Sequence, residues 1–330
     1  MEKIIDMNKR NPKVVVIGGG TGLSVMLRGL KEQTENITAI VTVADDGGSS
    51  GRLREDLGML PPGDIRACLI ALANTEPTME KLLQYRFSEG ELNGQSFGNL
   101  FIAAMNAIYG SFEKAIKETS NVLSITGKVL PVTLDNVRLI AELEDGSLVE
   151  GESRIPKEAK DRKSKIRRIY MKPEISYPLQ EGVKSIQEAD LIVLGPGSLY
   201  TSVIPNLLVK DMVEHISKAK AKVVYICNVM TQPGETDGYG VVDHVRAILD
   251  HSREDFIDYV ISNTEIVPGN VKLKYSTDGA SPVYATRNDE KLLYKMGIQL
   301  IEDSLVDIKH EYIRHDYTLL SQILMDIING

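Results

Sequence analysis

The chain is 330 residues long, 42% hydrophobic and 25% charged, the mix of a folded globular protein rather than a disordered one. Lys and Arg total 38 against 46 Asp and Glu, a formal net charge of −8, with no Trp and five Phe. That balance argues against a dedicated nucleic-acid binder, which presents a basic face and stacking aromatics. It leaves room for a local site that takes one small anion. Met1 to Lys13 alternates charges with single apolar residues, unlike a signal peptide or an anchor. No apolar run approaches the ~20 residues of a spanning helix. No membrane insertion and a cytoplasmic location are therefore expected.

Val14 to Ile17 is an unbroken β-branched run, which predicts a strand covered on both faces. It ends in Gly18-Gly19-Gly20-Thr21-Gly22. Leu23 to Gln33 follows as a predicted helix with Leu23, Met26, Leu27 and Leu30 on one face. A second strand, Ile37 to Val43, runs into Ala44-Asp45-Asp46-Gly47-Gly48-Ser49-Ser50-Gly51, completing a right-handed βαβ unit. Helices are expected over Asp64 to Ala73 and Leu100 to Ala107. From Val129 to Arg154 the pattern changes to hairpin material, with Asp145-Gly146 as the tight turn before Leu148-Val149. The basic run from Lys157 to Arg168 reads as a solvated connector or as a partner-docking, phosphate-gathering loop. Residues 129–175 are accordingly expected as a β-hairpin and basic-loop insertion within one domain spanning 1–330. Strands Leu191 to Leu194 and Val223 to Cys227, and helices Asp211 to Lys218 and Asp243 to Leu249, complete the alternation. The fold class is α/β, a Rossmann-like, doubly wound, mostly parallel sheet.

Ligands of such sheets bind beyond the carboxyl ends of the strands, so loops that follow strands should share one edge. Gly18, Gly19, Gly20, Thr21 and Gly22 remove Cβ atoms from a turn whose helix aims its free N–H groups at an anion; the alternative is a turn that only lets helix and strand pack. The spacing is neither GxGxxG, because position 23 is Leu, nor a Walker A loop. Asp45 and Asp46 suit a ribose hydroxyl, Mg²⁺ or a substrate proton, or else a turn. Arg52 and Arg54 are nearby sources of positive charge. Asp64 is expected to cap its helix, while Arg66 in the first turn opposes the helix dipole unless it faces an anion. Asn99 caps the helix after Phe97-Gly98 or reaches the ligand. Gly195-Pro196-Gly197-Ser198 is a second candidate anion nest. Within Asn228 to Thr236, Asn228, Thr231 and Gln232 suit a base or sugar. Cys68 and Cys227 are expected to be reduced and buried. The histidines (His215, His244, His251, His310, His315) show no metal-ligand spacing, and none is expected near a candidate site. No nucleophile constellation is visible.

Taken in order, Gly18–Gly22, Ala44–Ser49, Leu60-Pro61-Pro62-Gly63-Asp64-Ile65-Arg66, Phe97-Gly98-Asn99-Leu100, Gly195–Ser202 and Met230–Thr236 resemble the YvcK-type gluconeogenesis factors of the CofD-like superfamily, whose namesake is a 2-phospho-L-lactate transferase. The resemblance implies a Rossmann-like sheet, a nucleotide-sugar ligand of the UDP-N-acetylglucosamine type, and a role in cell shape and envelope synthesis during gluconeogenic growth. By the same likeness Gly20, Thr21, Gly22, Gly197, Ser198 and Asn228 should line the nucleotide pocket. Asp45 and Asp46 fall where the transferase branch presents a carboxylate to its deazaflavin acceptor, but the segment here lacks an aromatic to stack on one. A ligand-sensing regulator, with a protein partner and a homo-oligomeric state, is therefore the leading expectation. The rival is a Mg²⁺-dependent transferase using Asp45 or Asp46; an NAD-dependent oxidoreductase fits the glycine loop less well. Apart from Mg²⁺ no cofactor is expected.

Overall fold

The computed structural model describes residues 11–252, 255–309 and 312–330, so the first ten residues and His310 lie outside the described residues. Among the described residues, twelve strands carry the architecture: β1 (Val14–Gly18), β2 (Ile37–Val41), β3 (Lys128–Pro131), β4 (Arg138–Leu143), β5 (Leu148–Glu150), β6 (Ile166–Lys172), β7 (Leu191–Leu194), β8 (Lys222–Ile226), β9 (Tyr259–Asn263), β10 (Gln299–Asp303), β11 (Val306–Lys309) and β12 (Tyr312–His315). Seven form one sheet in the order β10-β9-β8-β7-β1-β2-β3, parallel at every pairing and flanked by helices. Every residue of β1, β2 and β7 is buried, as their almost wholly apolar sequences (Thr38 in β2 apart) require.

The chain winds from β1 outward through β2 to β3, then returns to β7 and winds the other way to β10. The reversal lies between β1 and β7. In a doubly wound sheet this switch point opens a crevice at the strand ends. Glycine turns follow both strands, so the sequence puts its most permissive backbone where the topology leaves space.

Residues 138–172 build a second, antiparallel sheet in the order β5-β4-β6, with the Asp145-Gly146 turn joining β4 to β5. Two expectations about this region need correction. Val129 lies in β3, which pairs in parallel with β2 as an edge of the main sheet rather than in a hairpin. The basic run from Lys157 to Arg168 is not one loop: Lys157 to Arg162 belong to the helix Ile155–Arg162 and Ile166 to Arg168 to β6, with only residues 163–165 between them. Ile155, Ala159, Ile166 and Ile169 are buried, so an apolar stripe fixes the run although charges dominate its composition. The main hydrophobic core takes in both sheets.

Helices begin and end within a few residues of expectation. The glycine turn is shorter than expected, because the first helix already starts at Gly20 and ends at Leu30. Asp64 does not cap: its helix, Gly63–Leu72, is preceded by Pro62, and Asp64 sits inside the first turn. Cys68 and Cys227 are free and buried. Among the described residues no helix is long and apolar enough to cross a membrane.

Candidate functional site

The turns after β1 and β7 interlock. A Cβ added at Gly22 would lie 2.9 Å from the Pro196 carbonyl oxygen, and one at Gly197 would lie 2.9 Å from that of Gly19. Gly20 has φ +72°, in the left-handed region that favours glycine. Gly18 stands behind, its added Cβ 3.6 Å from the Gly195 Cα, so Gly18 and Gly195 support the turns from beneath. The N-cap residue of the helix Gly20–Leu30, Gly19, offers no side chain; Asp64 takes the Gly20 N–H, and Thr21 and Gly22 follow at the cleft.

A cleft of about 450 Å³ opens beside these turns. Gly20, Thr21, Gly22, Gly197, Ser198, Asn228, Thr231 and Gln232 line it, as does Pro196. A polar chain ties its loops together. Gln232 Nε2 donates to Ser198 Oγ at 2.7 Å, and Asn228 Nδ2 donates to Gln232 Oε1 at 3.4 Å. Thr231 N donates to the Ser281 carbonyl at 2.7 Å, anchoring the loop from its other side.

The opposite wall comes from the helix Gly269–Asp278 and the β11–β12 hairpin, through Tyr275, Asp278, Ile313, Arg314 and His315. No signal in the sequence marked these residues. His315 corrects the expectation that no histidine lies near the site: a ring nitrogen sits 3.1 Å from the Cys227 carbonyl, just past the end of β8. Burial pushes its pKa down to about 4, against the upward pull of that carbonyl.

A smaller compartment of about 220 Å³ shares Gly20 and Thr21 with the first. Asp45, Asp64, Arg66, Arg86 and Asn99 line it together with Gly47, Gly48 and Ser49. Asp45 Oδ1 accepts from Gly47 N at 2.9 Å. The structure separates the acidic pair: Asp46 turns away and accepts from Ser153 N at 2.9 Å, joining the small sheet to the end of β2. Arg54 donates to the Ala44, Asp45 and Val137 carbonyls and to Asn136 Oδ1, so it braces the loop from behind. Arg52 reaches the Asn93 carbonyl.

Three acids that the sequence did not single out as ligand groups lie at or behind the site, of which Asp64 lines the smaller compartment. Asp64 accepts from the Gly20 N–H, and burial raises its pKa to about 6, with Asp45 adding to the rise. Glu235 is buried and accepts from Tyr200 N at 3.2 Å and Thr201 Oγ1 at 3.3 Å; burial raises it to about 7. Glu152 rises to about 8, first through burial, then through the charges of Asp45, Glu235, Asp46 and Asp64. These carboxylates meet only in three dimensions, which hid them. Among the described residues no three His, Cys, Asp or Glu side chains are grouped to hold a metal ion.

Residues 14–306 match the family model described as 2-phospho-L-lactate transferase CofD. A relative from Thermoanaerobacterium thermosulfurigenes is 58% identical over 317 residues, covering 96% of this chain and 97% of its own length. The gluconeogenesis factor of Bacillus subtilis (strain 168) is 51% identical over 320 residues, covering 97% and 99%. A crystal structure of a Bacillus halodurans protein shows 48% identity and a TM-score of 0.91, covering 96% of this chain and all of that one. A second crystal structure, described as a member of the UPF0052 family, gives the same identity and TM-score over 95% of this chain and 99% of that one.

Proposed function

This chain belongs to the 2-phospho-L-lactate transferase CofD family, and from that premise we propose that it is a regulatory factor that binds a nucleotide sugar of the UDP-N-acetylglucosamine type. The observation that carries this reading is the interlocked pair of turns at the switch point, with the helix start at Gly20 facing a cleft of about 450 Å³. The diphosphate lies against the amides of Thr21 and Gly22 and against Gly197 and Ser198. Asn228, Thr231 and Gln232 offer amide and hydroxyl groups to the base and ribose. The name of the Bacillus subtilis relative supports a role in growth on gluconeogenic carbon sources, and envelope synthesis is the process such a sensor would serve. Its place of action is the cytoplasm.

Isothermal titration of the full chain with UDP-N-acetylglucosamine tests this. Saturable heat is expected, weakened by Thr21→Ala and abolished by Gly20→Asp. No heat with any uridine nucleotide ends the reading.

A second reading, a Mg²⁺-dependent transferase of a phosphorus-containing group, is favoured by one observation: Asp45 and Asp64 both line the smaller compartment. Mg²⁺ needs only one or two carboxylates when substrate phosphates supply the rest, so this pair fits it. Bound there, the ion would neutralise phosphate charge, and Asp45 would orient an acceptor hydroxyl. Release of GMP from a guanosine-linked phospholactyl donor in the presence of a deazaflavin would favour this reading.

A further inference from the structure

We propose that the smaller compartment is a subsite for a small hydroxylated anion, a carboxylate or phosphate group carried on a framework with free hydroxyls, separate from the nucleotide's diphosphate. The inference uses the nucleotide reading only to place a neighbour across Gly20 and Thr21, which line both compartments.

Three helices start in the wall of this compartment: Gly48–Leu57, Gly63–Leu72 and Phe97–Tyr109. None carries a side-chain cap; Phe97 N of the third donates to the Tyr85 carbonyl at 2.9 Å, and the positive dipole ends of all three lie at this wall. Arg66 and Arg86 face the same space. Their hydrogen bonds go to neutral acceptors, Ser96 Oγ for Arg66 and the Gly94 carbonyl at 2.6 Å for Arg86. Burial, and then the like charge of Arg86, lower the pKa of Arg66. Asp64 and then Asp45 pull the other way, yet two guanidinium groups near one another whose hydrogen bonds go to neutral acceptors suit one anion between them.

The acids decide what kind of anion. Asp45 and Asp64 share the wall and would repel a bare polyanion, yet each can accept from a hydroxyl. Asn99 is 2% exposed, and its side-chain oxygen has no partner among the described residues, while its nitrogen donates to Ser49 Oγ at 3.1 Å. A buried acceptor without a donor is costly, and a ligand hydroxyl would satisfy it. Cations and helix starts for the charge, carboxylates and an amide oxygen for the hydroxyls: together they describe a sugar acid, a sugar phosphate or a hydroxy acid. The group can be the far end of a nucleotide sugar or a separate small molecule. Either source presents the same chemistry.

Two arms separate the sources. In the first, calorimetry compares UDP-glucose with UDP-glucuronate, which differ at one carbon, a hydroxymethyl against a carboxylate. Wild-type protein should bind the acid at least about tenfold more tightly, the size expected of a charge-assisted pair. Arg86→Gln should erase that preference, and Arg167→Gln, on the distant small sheet, should keep it. In the second arm, glycerol 3-phosphate or inorganic phosphate is added without any nucleotide. A rise in melting temperature that Arg86→Gln removes assigns the site to a separate anion, by mass action. The second arm needs no uridine ligand, so it tests the subsite even where the nucleotide reading fails. Equal affinity for the two UDP-sugars, together with identical anion-induced shifts in wild type and Arg86→Gln, overturns the proposal. The ligand-free melting temperature of Arg86→Gln reports its folding, and because Arg86 is exposed no core contact is lost.

Discussion

The floor of the larger compartment rests on β1 and β7, strands with every residue buried, whereas its roof, the helix Gly269–Asp278 with the β11–β12 hairpin, rests on a separate cluster of Val229, Val267, Val271 and Ile313. Polar links join roof to body: Ser281 N to Thr231 Oγ1 at 2.9 Å, His315 to the Cys227 carbonyl at 3.1 Å, and Lys160 Nζ to the Asp278 carbonyl at 3.0 Å. A region with a small core of its own can open without unfolding the rest, since local opening energies follow local burial. The comparison teaches a division of labour. On the proposed nucleotide reading, the floor is expected to hold its order without a ligand and the roof to gain order from one.

The same truncation in the two regions should give different readouts. Ile17→Ala in β1 hollows the main core and is expected to cost about 2–5 kcal/mol of global stability, seen as a lower melting temperature by calorimetry. Ile313→Ala should fall at the low end of that range and act locally. Amides of the roof would then exchange faster while the main transition barely moves. If both variants lower the main transition alike, roof and floor are one cooperative unit and the distinction fails.

Gly22→Val comes next in size. Its side chain would meet the Pro196 carbonyl and drive the two switch-point turns apart, costing about 1–3 kcal/mol through overpacking. Loss of UDP-sugar heat should accompany it, with the roof's amide exchange unchanged.

The floor was legible in the sequence because each part of it is local. Val14 to Ile17 is uniformly apolar, Gly18–Gly22 follows directly, and Leu191 to Ser198 repeats the pattern, so strand, turn and helix could be read from neighbours. Asp46 misled because adjacency in sequence alternates direction along the chain: Asp45 faces the compartment and Asp46 faces Ser153. The roof was illegible for a different reason. His315 meets Cys227 across 88 residues, and Ile313 packs on Val229, pairings with no periodicity to announce them. The basic run failed through composition: four buried apolar residues, Ile155, Ala159, Ile166 and Ile169, set its structure, and the charges only cover it.

Acid and base should loosen opposite sides of the cleft. Glu235, beneath the turn at Ser198, has a pKa raised from 4.5 to about 7, so the folded state keeps a proton that the unfolded state releases. Its contribution is full below pH 4.5 and is lost as pH rises toward about 7. Glu235→Gln should flatten that part of the stability–pH curve. His315 is depressed from 6.5 to about 4, so the unfolded state takes a proton that the roof refuses. Its contribution is full above pH 6.5 and is lost as pH falls toward about 4. Lower protection factors in the roof at pH 5 than at pH 7, once the slower intrinsic exchange at pH 5 is divided out, with the floor's protection unchanged or higher, are the expected signature.

The smallest effect tests the link between the basic helix and the roof. Lys160 is exposed and donates to the Asp278 carbonyl, at the carboxyl end of Gly269–Asp278, where a cation also complements the helix dipole. Lys160→Ala should cost about 0.3–1 kcal/mol, too little to shift the main melting transition measurably. It should still speed amide exchange in the last turn of that helix, and added salt should speed exchange in the wild type toward the same value, because exposed charge contacts are screened. Lys157→Ala, one turn earlier and exposed, should do neither. Equal behaviour of the two variants would make the basic run a solvated face with no hold on the roof, leaving the Ser281 and His315 contacts to fasten it.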